Sequence, residues 1–352
     1  MKAYYVIGLM SGTSLDGLDI AYCRFKNQGQ WSYEILQFKT VPYDAVFKER
    51  LRNAIALSSI FINELSLDFG VLMAQEVRQF MDENKVVELD FIASHGHTVF
   101  HEPEKGVTLQ IGNPKPLYEM SGRPVVYDFR AEDVARGGQG APLVPIVDKL
   151  LFSDHDACLN LGGFSNISFD LDGERRAFDL CPVNIVLNHL CAPFGIDYDD
   201  KGALASQGEL NENLLHQLNG LDYYQKSFPK SLAWEWVDKQ ILPLLKSSGL
   251  SATSQMRTFV EHIAVQMSSV VKSYSLKSII MSGGGTHHNF LLERLNHYAP
   301  GHWVKSSPLL IESKEAMAFA FLGLLRYQGQ VNVLSSVTGC SESHSSGKIH
   351  AD

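Results

Sequence analysis

The stretch YYVIGLMSGTSLDGLDIAYC, Tyr4 to Cys23, reads as an apolar strand that enters a glycine turn and returns as a second strand. The same plan recurs at ACLNLGGFSNISFDL, Ala157 to Leu171. A third glycine turn, SIIMSGGGTHHNFLLERL, Ser278 to Leu295, leads from a strand into a helix. Glycine lets a backbone approach a phosphate closely and turn its N–H groups onto it. Three such turns, two of them repeated, predict two similar halves that close on one nucleotide.

Working outward, Tyr33–Val41 is a third strand signal, and helical patterns follow around Ala45–Leu57 and Phe61–Glu83. LDFIASHG reads as a short buried strand ending in a loop, and VTLQIGN and RPVVYDF as two more strands. RAEDVARGGQGAPLVP is a long glycine- and proline-rich loop of functional length. The second half repeats strand, turn and strand, then AFDLC as a third strand and a helix with Pro182 in its first turn. Thr258–Leu276 has a helical period, and Lys314–Tyr327 is apolar nearly all round, which predicts a buried helix. The order of elements implies an α/β protein of two layered domains. The division is drawn at 1–150 and 151–340, with the last helix free to pack back on the first domain and SESHSSGKIHAD (341–352) as a polar, mobile tail.

With 352 residues, 45% apolar and 20% charged, the chain has the balance of a soluble globular protein. A net charge of −9 argues against non-specific binding to nucleic acid or to an anionic membrane. Five scattered cysteines without a CxxC pair point to a reducing compartment. No apolar stretch approaches transmembrane length, and the start lacks a signal peptide's long apolar core. The protein is read as cytoplasmic.

The chain has no GxxxxGK[ST] motif and the first turn has no lysine, so amides and hydroxyls of Ser11, Gly12, Thr13 and Ser14 would have to hold an anion. Asp16 and Asp19 could order the waters of a Mg2+. The plain alternative is a glycine hairpin with capping aspartates, against which the repeat at Leu161–Asn166 weighs. Gly283, Gly284 and Gly285 either face a ligand from a helix N-terminus or make a tight turn. Asp179, at a strand end before a helix, is either a general base for phosphoryl transfer or a helix N-terminal partner. His95, His97 and His101 have spacings that zinc could use, but a polar substrate contact suits them better. Arg130 could clamp a carboxylate or pair with Asp128 or Asp133. Glu315 falls in the first turn of the last helix as drawn here, where an acid complements the dipole.

The motifs GLMSGTSLDGLDIA, SHGHTVFH, TLQIGNP, DFR, GGQGAPLVP, NLGGFSNIS, FD-x-x-P-x-N, SGGGTHHNFLLERL and EAMAFAFLG occur in an order that resembles the anhydro-N-acetylmuramic acid kinases. The resemblance covers essentially the whole chain. It implies two actin-like (ribonuclease H-like) domains with a nucleotide cleft between them, and ATP and Mg2+ as cofactors. It also implies an ATP-dependent opening of 1,6-anhydro-N-acetylmuramic acid by water, with phosphorylation of O6, as a step in cell-wall recycling. By the same resemblance Asp179 is the base and Glu315 contacts the sugar near the reacting water. The ATP-binding set is Ser11, Gly12, Thr13, Ser14, Leu15, Asp16, Gly17, Leu18 and Asp19, with Gly162 and Gly163. Gly283, Gly284 and Gly285 lie on the adenosine side. His95, His97, Arg130, Gln139 and Asn184 are assigned to the sugar, Asp16 and Asp179 to the metal, and a homodimer is expected. The usual FDTGPGN reads FDLCPVN here, with Leu180, Cys181 and Val183 replacing a threonine and two glycines, and the common SHGQT reads SHGHT. These departures leave open a related amino-sugar kinase or a catalytically silent nucleotide-binding paralogue.

Overall fold

β-Branched and aromatic residues crowd the start of the chain, and they pair as an antiparallel meander of β1 (Ala3–Ser11), β2 (Gly17–Asn27) and β3 (Trp31–Pro42). The computed structural model describes residues 2–351. β4 (Phe91–Glu102) lies parallel to β1, β5 (Val107–Ile111) pairs back on β4, and β6 (Val125–Tyr127) extends the parallel side. The second meander is β7 (Ala157–Leu161), β8 (Phe164–Leu171) and β9 (Glu174–Pro182). β10 (Ile279–Ser282) and β11 (Trp303–Lys305) add to β7 in parallel. The order β3-β2-β1-β4-β6 in one sheet is therefore repeated as β9-β8-β7-β10-β11 in the other. Three antiparallel strands followed by two parallel ones is the ribonuclease H-like order, so the expected α/β class and the duplicated plan are both present.

The chain divides into two compact units, Met1–Leu151 with Glu312–Asp352, and Phe152–Ile311. In the first, the Ser59–Glu83 helix buries Ile62, Leu65, Phe69, Met73, Val77 and Phe80, spaced three or four apart, in a core shared with Ile7, Leu9 and Ile92. In the second, the Ala252–Ser273 helix starts at a Ser251 cap and sets Met256, Phe259, Ile263, Met267 and Val271 against the sheet residues Leu159, Ile167 and Phe169. All five cysteines are buried, and none forms a disulfide. Among the described residues, no helix is long and apolar enough to cross a membrane.

Several boundaries differ from the sequence reading. Residues 312–340 belong to the first unit, not the second, which is the packing back allowed for the last helix, and the polar tail joins that unit too. The tail is ordered as β12 (Lys348–His350), antiparallel to β6, because its polar groups find internal partners. Ser346 donates its N–H to Asn332 Oδ1 (2.7 Å) and its hydroxyl to the Phe129 carbonyl (2.7 Å). The last helix runs from Pro308 to Tyr327, beginning well before Lys314. Ser307 accepts the Leu310 N–H on its hydroxyl and the Ile311 N–H on its carbonyl, and Pro308 suits the first turn. Glu315 is therefore inside the helix, and a dipole role at its first turn is removed. Pro182 ends β9, and its helix starts at Asn184. The Ala45–Leu57 pattern splits into a helix over Ala45–Arg52 and a short 3-10 turn over Ala54–Ala56. SHGHT is not a loop: β4 continues through it, paired with β1 at Ser11–His97 and with β5 at His97–Ile111. The long glycine- and proline-rich segment contains a helical turn, Ala131–Ala135, and the Pro145–Leu151 helix that follows it is the one VPIVDKLLF predicts.

Candidate active site

In the first unit the sequence between β1 and β2 makes a turn whose left-handed residue is not a glycine. Leu15 has φ 60°, with its N–H donating to the Gly12 carbonyl (3.2 Å), and its side chain is buried. A bulky residue held there signals a turn fixed by its surroundings. Gly17 is required by packing, since a Cβ would lie 2.3 Å from the Val41 carbonyl oxygen, whereas one on Gly12 would meet nothing closer than Ser14 Oγ at 3.4 Å. Gly12 is thus free to serve close approach by a ligand. Thr13, Ser14 and Asp16 are exposed, and Leu18 is buried. Ser11 is not available in the way expected. It is buried, its oxygen accepts from the Tyr43 hydroxyl (2.7 Å) and lies 3.0 Å from His97 Nδ1.

Asp19 pairs across the sheet with Thr40, whose hydroxyl donates to Oδ1 (2.6 Å). Burial raises the Asp19 carboxyl above its ordinary value, and the charges of Asp16 and Glu312 add to this while the Thr40 bond opposes it. Glu315 is exposed to solvent, yet surrounding protein strips part of its hydration. That desolvation, then Asp19, raises its carboxyl, while Arg130 and Lys314 pull it down. Glu315 is positioned by contact between backbones: a Cβ on Gly8 of β1 would lie 2.0 Å from the Ala316 carbonyl oxygen.

Arg130 makes neither of the pairs considered for it. Asp128 pairs with Lys348 (2.8 Å), and Asp133 takes the Thr338 hydroxyl (2.8 Å) and the Gly140 N–H (2.7 Å). Arg130 Nε donates to His95 Nε2 (2.9 Å) and its Nη1 to the Gly140 carbonyl (2.7 Å). Burial lowers the guanidinium to about 10, so it stays charged at neutral pH. His95 is held well below its ordinary value by burial and by Arg130, and is neutral, with Nδ1 on the Gly96 carbonyl (3.0 Å). An imidazole whose lone pair accepts from a guanidinium has none for zinc, and His101 contacts Thr108 Oγ1 (3.1 Å), so the zinc reading fails. Gln139 has an exposed side chain and a backbone N–H on the Thr338 carbonyl (2.8 Å).

In the second unit three predicted elements meet. Asn184 donates its N–H to the Gly162 carbonyl (3.2 Å) and Nδ2 to the Leu161 carbonyl (3.4 Å). Gly283, at φ 85°, lies where a Cβ would be 2.8 Å from the Leu161 oxygen, and one on Gly285 would be 2.8 Å from Leu161 Cβ. Gly163 and Gly284 are exposed, and a Cβ on either would meet nothing closer than 3.8 Å. The α-helix after the triplet starts at Asn289, beyond a 3-10 turn over Gly284–His287, so the glycines do not form a helix N-terminus. Asp179 lies in β9 opposite Asn166, half-exposed, with Oδ2 accepting the Leu232 N–H (2.8 Å). Burial raises its carboxyl, and the Leu232 bond opposes the rise. A backbone donor and a desolvating wall on a still accessible acid suit a base. Asp16 and Asp179 lie in different units, and neither belongs to the converging ligand cluster found among the described residues.

A family model described as anhydro-N-acetylmuramic acid kinase matches residues 4–352. The chain belongs to this family. Its curated relatives include an anhydro-N-acetylmuramic acid kinase of Sulfurimonas denitrificans, 33% identical over 99% of this chain and 100% of the relative. Another, from Pseudomonas syringae pv. syringae, is 32% identical over 99% of each. A solved structure, the activator of the 2-hydroxyisocaproyl-CoA dehydratase from Clostridium difficile with bound ADPNP, aligns over 92% of this chain and 97% of that one, at 10% identity and a TM-score of 0.46.

Anhydro-N-acetylmuramic acid kinases transfer phosphoryl to an alcohol acceptor, and the departures of this member are absorbed by its core. Leu180, Cys181 and Val183 are all buried. Ser165 is bracketed by Cys181, donating to its carbonyl (2.9 Å) and accepting its N–H (3.2 Å). Sequence reasoning missed Tyr43, Thr40, Glu312 and Lys230. Thr40 reaches the site through strand register, Tyr43 from just past the end of β3, and Lys230 from a loop where its carbonyl accepts the Asp179 N–H (3.2 Å). Only Thr40 had a signal, as the cross-strand partner of Asp19 in a tight meander.

Proposed function

We propose that this chain is an ATP-dependent kinase that opens 1,6-anhydro-N-acetylmuramic acid with water and phosphorylates its O6, feeding cell-wall recycling. The observation that carries the reading is a full-length family match in a chain that keeps both acids, Asp179 and Glu315, each with a raised carboxyl pKa. Asp179 takes a proton from water as the water oxygen bonds to the anomeric carbon. The bond from that carbon to O6 breaks, and O6 receives the γ-phosphoryl group as ADP departs. Glu315 orients the sugar near the attacking water, and the charged Arg130 with His95 and His97 holds the sugar's polar groups. Gly12, Gly163 and Gly284 are where ATP approaches the backbone, because the fold does not need glycine at these positions.

Asp16, Asp19 and Glu312 suit a hydrated Mg2+, since their mutual repulsion is what a dication would relieve. When bound, Mg2+ neutralises charge on the phosphates.

The test supplies ATP, Mg2+ and the anhydro sugar and follows ADP together with sugar phosphate. Turnover is expected, and Asp179→Asn should lose about 10²–10⁴-fold in kcat while keeping ADP affinity by calorimetry. Intact nucleotide binding with no turnover would identify a silent paralogue. Turnover on a different amino sugar alone would reassign the substrate.

A further inference from the structure

Away from the kinase residues, three ligand-type side chains meet in the first unit. Asp133 comes from the Ala131–Ala135 turn, and Cys340 and His344 from the segment after the last helix. Their ligand atoms lie within 4.8 Å of one another and all three residues are buried, Asp133 completely.

The orientation of His344 toward Asp133 points to a ligand. His344 Nδ1 is 3.0 Å from the Glu342 carbonyl, which places the ring proton there and leaves the lone pair on Nε2. Nε2 is buried, has no hydrogen-bond partner, and faces Asp133 Oδ1 at 3.9 Å, too far for a hydrogen bond. A ring nitrogen tied to a backbone carbonyl while the other aims at a carboxylate is the arrangement of a metal-binding imidazole. Asp133 is held by Thr338 and by the Gly140 N–H. The Cys340 thiol donates to the same Glu342 carbonyl (3.1 Å), a proton it would give up on binding a metal, and its Sγ lies 3.7 Å from the Nδ1 side of the His344 ring. Zinc bonds of about 2.3 Å to sulfur and about 2.0–2.2 Å to nitrogen and oxygen put tetrahedral neighbours roughly 3.3–3.7 Å apart, so the 3.9 Å between Nε2 and Asp133 Oδ1 needs only a small contraction. Asp133 acting only as a loop organiser would account for Thr338 and Gly140, but it would leave the buried Nε2 without a purpose, at a desolvation cost.

We propose that Asp133, Cys340 and His344 bind one divalent cation of the zinc class, with water as the fourth ligand. Thiolate and imidazole donors disfavour Mg2+ and Ca2+. On binding, the cation replaces the Cys340 thiol proton, which goes to the buffer. The site ties residues far apart in sequence, so it acts as a staple between the C-terminal segment and the loop that carries Gly140, the acceptor for Arg130.

The test uses the full chain, stripped with a chelator, reloaded with Zn2+ or Co2+, and desalted. About one equivalent of zinc should remain by mass spectrometry, and the cobalt form should show a thiolate-to-cobalt absorption band. Cys340→Ser and His344→Gln should each lose most of the retained metal, and circular dichroism checks that each variant is folded. In the unmodified chain, chelator should lower the thermal midpoint; in a folded variant it should not. Absence of stoichiometric zinc from the reloaded chain, a cobalt spectrum without the thiolate band, or unchanged retention in both variants would overturn the assignment.

Discussion

Two carboxylates with raised pKa values set the pH behaviour. As the proposed base, Asp179 must be ionised, so the acid limb of the rate profile should fall at a pH above the ordinary Asp range. A limb at or below that range would remove the desolvation argument. Asp19 concerns stability. The folded chain holds its proton more tightly than the unfolded chain does, because burial and then Asp16 and Glu312 raise the carboxyl. The stabilisation from protonated Asp19 is full below the unfolded-state value and is lost as pH rises through the folded-state value. Asp19→Asn keeps an acceptor for Thr40 and removes the charge. It should raise the thermal midpoint at about pH 8, with the gain shrinking as pH falls toward the ordinary Asp value. A gain that does not change with pH would contradict this account.

Strand and helix contacts separate glycines that build the fold from glycines that leave room. Gly8 touches the backbone of the last helix, so Gly8→Ala should cost at least about 1–3 kcal/mol in denaturant unfolding. Gly284 faces open space, so Gly284→Ala should stay within about 0.5 kcal/mol in stability and act on nucleotide affinity, read by calorimetry. Equal stability losses for the two would refute the distinction. The duplicated meander was legible because apolar runs and glycine turns are local signals, and the buried last helix because it is apolar all round. Its start at Ser307–Pro308 is a local signal, serine before proline, but it lies ahead of the apolar KEAMAFAFLG run that dominates the pattern. The HGH segment looked like a loop because its pairing partner β5 lies further along the chain. Asp179 was placed by family pattern, but its backbone donor, Leu232, comes from an irregular segment with no readable period. Burial of the polar Ser346 and Asn332 was hidden from composition, since it depends on hydrogen bonds made only in the fold.

At the scale of the chain, the first unit is built from both ends. Phe321 packs on Phe25 and Trp31 (ring centroids 5.2 Å apart in each case), Tyr327 stacks on Phe91 (4.8 Å), and β12 closes the sheet beside β6. Removing everything after Ile311 should leave Phe152–Ile311 folded and strip the first unit of its cover. Calorimetry of that truncated chain should then show a single cooperative transition; two would mean that Met1–Leu151 stands alone. The same arrangement governs birth on the ribosome. The middle of the chain can finish folding while the amino-terminal part, synthesised earlier, waits for its last forty or so residues to emerge, with its apolar faces open to chaperones in the meantime.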